Sequence, residues 1–365
     1  GIFNSRTGVN NTNQFSVGQD ITRSADPANG SIQLLYAEDT NLIIFQEDKV
    51  SRALIDKDAI YSAEGNASIT SSLQVIGQIV AYAGEYGIST NPESFAVYGN
   101  RKYFTDKKRG VVLRLSGGAG GGQGITEISS YGMHDFFRDE LADATKVVGG
   151  WNSHTKDYVL SLQTNSDYKT ATFDEGVLGW TSFSSYKPSH IFSLSNVFYT
   201  FNQDVDTNGN LGRLYQHYSG PYAKFYGVTY GSDVTIVLNS QPSVVKNFKT
   251  INYEGGPGWE LESMVASSTD KTLPIGKYVF QENLASLENQ IWSNTFKKKE
   301  DKYFANLINN SPATNGEILY GADMSGIKGF YSTVKMSISP ITQFDTSAIK
   351  KELFSVSSDI VESSY

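Results

Sequence analysis

The chain contains no cysteine, so no disulfide framework staples it, no thiol chemistry operates in it, and neither an oxidising nor a reducing compartment follows. No apolar run approaches the roughly 18 to 20 residues of a membrane span, and no basic-then-apolar signal segment opens the sequence. Residue 1 is Gly, as in a processed product or a piece of a longer chain. With 30 basic against 38 acidic residues the net charge is −8, which argues against a general nucleic-acid or anionic-membrane surface and leaves room only for a local basic patch. Histidine is scarce too: His134, His154, His190 and His217 lie far apart and none sits in an HExxH-type metal pair. There is no GxSxG nucleophile elbow. Gly117 to Gly124 lacks the Lys-Ser/Thr ending of a phosphate loop and reads as a hairpin tip. No catalytic constellation and no cofactor is implied, so the chain is expected not to be an enzyme.

What is present is β-forming. Twenty-two Tyr and twenty Phe, among many Ser, Thr, Asn and Gly, favour strands and tight turns, and 365 residues are enough for two or three domains. The densest signal is Ile88 to Ser129. Tyr103 and Phe104 open a strand, Asp106 to Gly110 makes a polar turn, and Val111, Leu113 and Leu115 alternate with Val112 and Arg114, the pattern of a half-buried antiparallel hairpin. A third strand, Ile125 to Ser129, completes the density of a β-meander or propeller blade. Ser31 to Asp48 repeats the pattern with IQLLYA and NLIIFQ, Val50 to Ile55 adds a third run, and DYVLSLQ at Asp157 to Gln163 and NVFYTF at Asn196 to Phe201 continue it. Leu73 to Tyr86 reads as strand and bend, Glu64 to Asn66 as a turn, and Gly132 to Ala144 as a short helix with Phe136, Phe137 and Leu141 on one side.

Three local patterns bear on chemistry. Thr172 to Trp180, TFDEGVLGW, is a stretched Asp-box-like turn, in which a carboxylate binds backbone N–H groups while an aromatic packs beneath. A glycosidase pair at Asp174 and Glu175 is disfavoured because adjacent strand residues point to opposite faces. Asp204, Asp206 and Asn208 start a calcium-type loop, but Tyr215 stands where a bidentate Glu belongs, so calcium is not expected to be needed for folding. Leu214 to Gly231 gathers Tyr215, Tyr218, Tyr222, Phe225, Tyr226 and Tyr230 around His217, a composition that suits core packing, sugar stacking or a protein contact.

These readings give an all-β chain: an N-terminal arm over 1–30, a propeller-like β domain over 31–250, and a smaller β-rich C-terminal domain over 251–365, with few short helices. The texture changes near 245–260, at the loop Gly255 to Gly258. In the last third, Leu284, Leu287 and Ile291 fall at helix-like spacing, and TVKMSIS places Val334, Met336 and Ile338 on one strand face. Lys297, Lys298 and Lys299 followed by Tyr303 and Phe304 reverse the overall charge beside aromatic anchors, so these five residues are the candidate interface.

The blocks NPESFAVYGNRKYFTDKKRGVVLRLS, GITEISSYGMHDFFRDEL, FDEGVLGWTSF, PSVVKNFKTINYEG, FKKKEDKYFANL and GADMSGIKGFYSTVKM, in this order, resemble a family of tailed-bacteriophage virion structural proteins of marine contractile-tailed and crAss-like phages. The resemblance runs from about residue 28 to the end. It implies a tail component of the virion, at the muzzle or nozzle end of a crAss-like tail, with other tail proteins as partners, a homo-oligomeric ring as the assembly, and neither nucleic-acid specificity nor a membrane span. The rival is a propeller-class glycan-binding or glycan-degrading protein of host-surface recognition, which needs two carboxylates about 5 to 9 Å apart beside exposed aromatics.

Overall fold

The computed structural model describes residues 22–38, 41–54, 76–118, 121–203, 212–267, 295–307, 326–339 and 350–363, together with two-residue strands at Ile2–Phe3, Asn10–Asn11, Ile60–Tyr61, Ala67–Ser68 and Val279–Phe280. It is nearly all β, built as many small antiparallel sheets, and the one α-helix among the described residues is His134–Asp143. The chain divides into two compact units, Gly1–His217 and Tyr218–Tyr365. Ser232–Leu238 pairs in register with Ser332–Ile338, which ties it into the second unit, ahead of the sequence-based boundary near 245–260.

Besides two two-stranded ribbons, the described residues of the first unit form four successive sheets of three or four strands, in each of which the strands pair in chain order. Ile32–Glu38, Asn41–Gln46, Val50–Leu54 and Ile79–Ala81 form the first meander. Ala96–Tyr98, Arg101–Asp106, Val111–Gly118 and Gly121–Glu127 form the second. Lys146–Asn152, Asp157–Gln163, Tyr168–Asp174 and Gly179–Ser184 form the third. His190–Leu194, Val197–Asn202 and Arg213–Gln216 form the fourth, three-stranded sheet.

The sheets are held face to face by the two sides of the same strands. In the second meander Phe104 and Leu113 join one cluster with Phe45 and Ile43 of the first, and Phe104 meets Phe45 edge-on at 5.1 Å. Their neighbours Tyr103 and Val112 point the other way, into a cluster with Tyr158, Leu160 and Phe173 of the third, where Tyr103 stacks on Tyr158 at 4.9 Å. The Val111–Leu115 strand is therefore buried on both faces, not half-buried as its alternation implies, because a sheet lies on each side of it. Fully burying each such side chain is worth about 1.5–3 kcal/mol. The helix closes the second cluster with Phe137 and Leu141, both fully buried, and its acidic residues Asp135, Asp139 and Asp143 face out.

The contact between the third and fourth sheets is closer and more polar. Gly150 lies so near Ile191 that a Cβ there would come within 2.2 Å of its Cγ2 atom, and a Cβ on Gly149 would come within 2.0 Å of the Ser94 carbonyl oxygen. Only glycine lets the Lys146–Asn152 strand pass between these neighbours. Thr170 Oγ1 donates to the Tyr186 carbonyl, and Gln163 Nε2 donates to the Pro188 carbonyl at 2.6 Å, so these two buried polar groups are satisfied by the segment leading into the fourth sheet.

The second unit has its own core. Sheets of order Ser232–Leu238, Ser332–Ile338, Glu260–Ala266 and of order Ile327–Gly329, Lys246–Phe248, Ile360–Glu362 pack with a sheet that contains Thr295–Lys299, Lys302–Asn306, Thr250–Gly255 and Leu353–Ser357. Val334, Met336 and Ile338 fall on one buried face as their spacing predicts. Lys246 is fully buried, and its ammonium donates to the carbonyls of Ser240 and Gln241.

Candidate functional site

The lysine triplet sits on a hairpin of the second unit. Thr295–Lys299 pairs with Lys302–Asn306, with Lys297 opposite Phe304, Lys298 opposite Tyr303 and Lys299 opposite Lys302. The turn between them is Glu300–Asp301, with Glu300 at φ 55°. Strand alternation sorts the residues into two sets. Phe296 and Tyr303 point inward: Tyr303 stacks on Tyr253 at 4.7 Å and 13°, and Phe296 meets the same ring edge-on at 5.0 Å. Tyr303 is thus a core residue at 4% exposure and offers no surface anchor. Lys298 shares that face and runs out over the core, its ammonium 5.8 Å from the Tyr303 ring centroid.

Lys297, Lys299, Lys302 and the half-buried Phe304 occupy the other face. Glu254, opposite Lys302 on the next strand, pairs with it at 2.6 Å and raises the Lys302 pKa. Lys297, Lys298 and Lys299 form no ion pair among the described residues, and Lys299 stands directly across from Lys302, a like-charge opposition that costs stability. Lys297 and Lys299, which no carboxylate answers among the described residues, share this face with Phe304, a surface suited to an acidic partner. The roles of Lys302 and Glu254 lay beyond sequence reasoning, since only the register brings them into the row. The helical spacing of Leu284, Leu287 and Ile291 lies outside the described residues.

The patterns with possible chemistry resolve into structural devices. Asp174 Oδ1 accepts the amides of Gly176 at 2.6 Å and Val177 at 3.3 Å, while Trp180 packs against Phe137 and Phe173 and donates its indole N–H to the Ile128 carbonyl. The Asp-box-like turn forms despite its extra residue. Glu175 turns the other way and accepts from Tyr103 Oη at 2.7 Å and Arg114 at 2.6 Å, with Arg101 at 3.5 Å. Burial first, and the Glu175 carboxylate second, push the Tyr103 pKa far up. Tyr103 is fully buried between the rings of Trp151 and Tyr158, while Glu175 and Arg114 keep a little exposure and Arg101 keeps more.

His217 is packed by Tyr186 at 4.7 Å and Phe198 at 4.8 Å, with Nε2 2.7 Å from Thr200 Oγ1; burial lowers its pKa to about 4. These ring neighbours come from earlier in the chain, whereas Tyr218 and Tyr222 are exposed. The Asp204 loop lies outside the described residues. Among the described residues no three His, Asp or Glu side chains gather as metal ligands, and no helix is long and apolar enough to cross a membrane.

Residues 220–310, which hold the lysine hairpin and begin almost where the second unit begins, match the family model of the crassvirus muzzle protein C-terminal domain. This chain is a virion tail component. A comparison with curated proteins gives no match.

Proposed function

We propose that the tail component acts by symmetric assembly and not by catalysis, at the muzzle or nozzle end of the tail, in a family shared by marine contractile-tailed and crAss-like phages. The match at 220–310 carries this reading. The four stacked meanders of the first unit are the blades of a propeller-like domain, and copies of the chain form a ring with other tail proteins as neighbours. The interface includes Lys297, Lys298, Lys299 and Phe304, which meet acidic surface on a neighbouring tail protein; Tyr303 supports them from the core side. The engagement of Asp174 by backbone amides and of Glu175 by Arg114 and Tyr103 supports a non-catalytic role.

Replacing Lys297, Lys298 and Lys299 together by Glu tests the proposal. Exposed charge changes usually cost within about 0.5 kcal/mol, so the isolated chain keeps its fold and melting temperature. Incorporation into tails falls and becomes more sensitive to salt, because complementary charge sets register and association rate. Particles that carry the triple change at normal occupancy and infectivity would remove the lysine face from the interface. Specific binding or cleavage of host polysaccharide by the purified wild-type chain would argue for the glycan reading instead.

A further inference from the structure

The third sheet of the first unit carries one anomaly that packing does not explain. Asn152 pairs with Asp157, Asp157 with Asp174, and Asp174 with Gly179, so the four residues form one row across four strands and share one face. Directly opposed residues have Cβ atoms about 4.5–5.5 Å apart, close enough for the two carboxylates to meet on one ion. Asp157 is only 7% exposed, and its Oδ1 atom has no hydrogen-bond partner. Ser153 Oγ, at the adjoining hairpin tip, is likewise enclosed and unpartnered. Burial pushes the Asp157 pKa up and the like charge of Asp174 adds to it, while hydrogen bonds from Thr155 and Asn152 to the carboxylate offset part of the rise. A buried carboxylate beside a second one, with no ion pair to answer it among the described residues, is costly.

We infer that Asp157 and Asp174, with Ser153 Oγ, hold a hard divalent cation of the calcium type. The donors are all oxygen, which favours calcium or magnesium over thiolate- and imidazole-seeking metals. Two irregularly placed carboxylates and a hydroxyl, completed by water, suit the flexible coordination of calcium better than the strict octahedron of magnesium. The row is also prepared for a ligand. Asn152 Oδ1 accepts the amides of His154 at 3.1 Å and Thr155 at 3.5 Å, which shapes the hairpin tip around Ser153. Both backbone bonds to Asp174 fall on Oδ1, leaving Oδ2 for an ion. At the end of the row, a Cβ on Gly179 would meet nothing within 4 Å, so the face opens to water there.

The test is terbium luminescence on the full chain, excited through tryptophan and competed with calcium or magnesium, beside melting curves with calcium and with EDTA. The wild type binds terbium, calcium displaces it with at least about tenfold preference over magnesium, and calcium raises the melting temperature. Asp157→Asn weakens binding by at least about tenfold, whereas Asp204→Asn, in the separate calcium-type loop, leaves this site unchanged. A wild type that binds neither ion, or an Asp157→Asn variant that binds both as the wild type does, overturns the inference. If Asp157→Asn does not fold, Ser153→Ala decides: it keeps both carboxylates and is expected to bind several-fold more weakly, and unchanged affinity in that variant is likewise fatal.

Discussion

The indole of Trp151 lies flat on the phenol of Tyr98, with ring centroids 4.2 Å apart and planes 11° from parallel. One ring belongs to the second meander and the other to the third, and the stack continues inward through Tyr103 at 5.4 Å and Tyr158 beyond it. This run of rings makes two sheets with no shared strand into one body, and Tyr158 anchors it by donating its hydroxyl to the Ser94 carbonyl at 2.6 Å.

Tyr158→Phe removes that bond and leaves a buried carbonyl with one partner fewer. The expected cost is about 1–2 kcal/mol, read as a fall of roughly 2–8 °C in melting temperature with an unchanged circular dichroism spectrum. A variant as stable as the wild type would mean that the phenol's ring, not its hydroxyl, holds the sheets.

Glycine substitution in the third sheet should be graded by what the new methyl meets. Gly149→Ala drives Cβ onto a backbone oxygen that has little room to move, and Gly150→Ala drives it onto the Ile191 side chain, which can shift. Both are expected to lower stability by more than about 2 kcal/mol, Gly149→Ala the more severely. Gly124→Ala, where nothing lies within 4 Å, is the control and should be near neutral. Denaturant midpoints of the three variants decide the order.

His217 makes stability depend on pH. Its folded-state pKa of about 4 lies below the ordinary 6.5, so the unfolded chain binds the proton more tightly. The neutral ring's contribution is therefore complete above pH 6.5 and is lost as pH falls through 6.5 towards 4. Carboxylates titrate in the lower part of this window as well, so the measurement is a difference. The gap in unfolding free energy between wild type and His217→Gln should shift against the wild type from pH 7 to pH 4.5. A gap independent of pH would show that the imidazole is hydrated.

Glu47 belongs to a network that fastens the first meander to the turn of the second. It accepts from Ser31 N and Oγ and from Lys108, which together hold its pKa down to about 2. Glu47→Gln keeps the shape and removes the charge. Its effect is expected to be small at neutral pH, to shrink as pH falls below 4.5, and to vanish near pH 2, where the folded wild-type carboxylate also loses its charge. Melting curves at pH 7 and pH 2 check this, and a large loss at pH 7 would contradict it.

The strands were legible wherever alternation and turn residues coincided, as at IQLLYA, NLIIFQ, DYVLSLQ and TVKMSIS, and so was the helix at His134–Asp143. Local chemistry was legible too: the Asp174 carboxylate caps its turn as the sequence pattern implies. Burial on the second face of a strand was not, because Val112 and Leu113 serve different sheets and nothing within the strand says which neighbours exist. The candidate interface was half legible for the same reason. Lysines are recognisable in sequence, but Tyr303 faces inward and Lys302 is answered by Glu254, facts set by register with a strand some fifty residues earlier in the chain.

Each meander of the first unit is completed by strands that are near neighbours in sequence, and each sheet leans on the one before it. During synthesis a sheet can therefore close its hydrogen bonds soon after its last strand leaves the ribosome, with its template already waiting. The first unit thus never has to hold a long apolar strand open for a distant mate, unlike the second, where Ser232–Leu238 must wait for Ser332–Ile338. That ordering in the first unit limits the time in which unpaired edges of one nascent copy can find those of another.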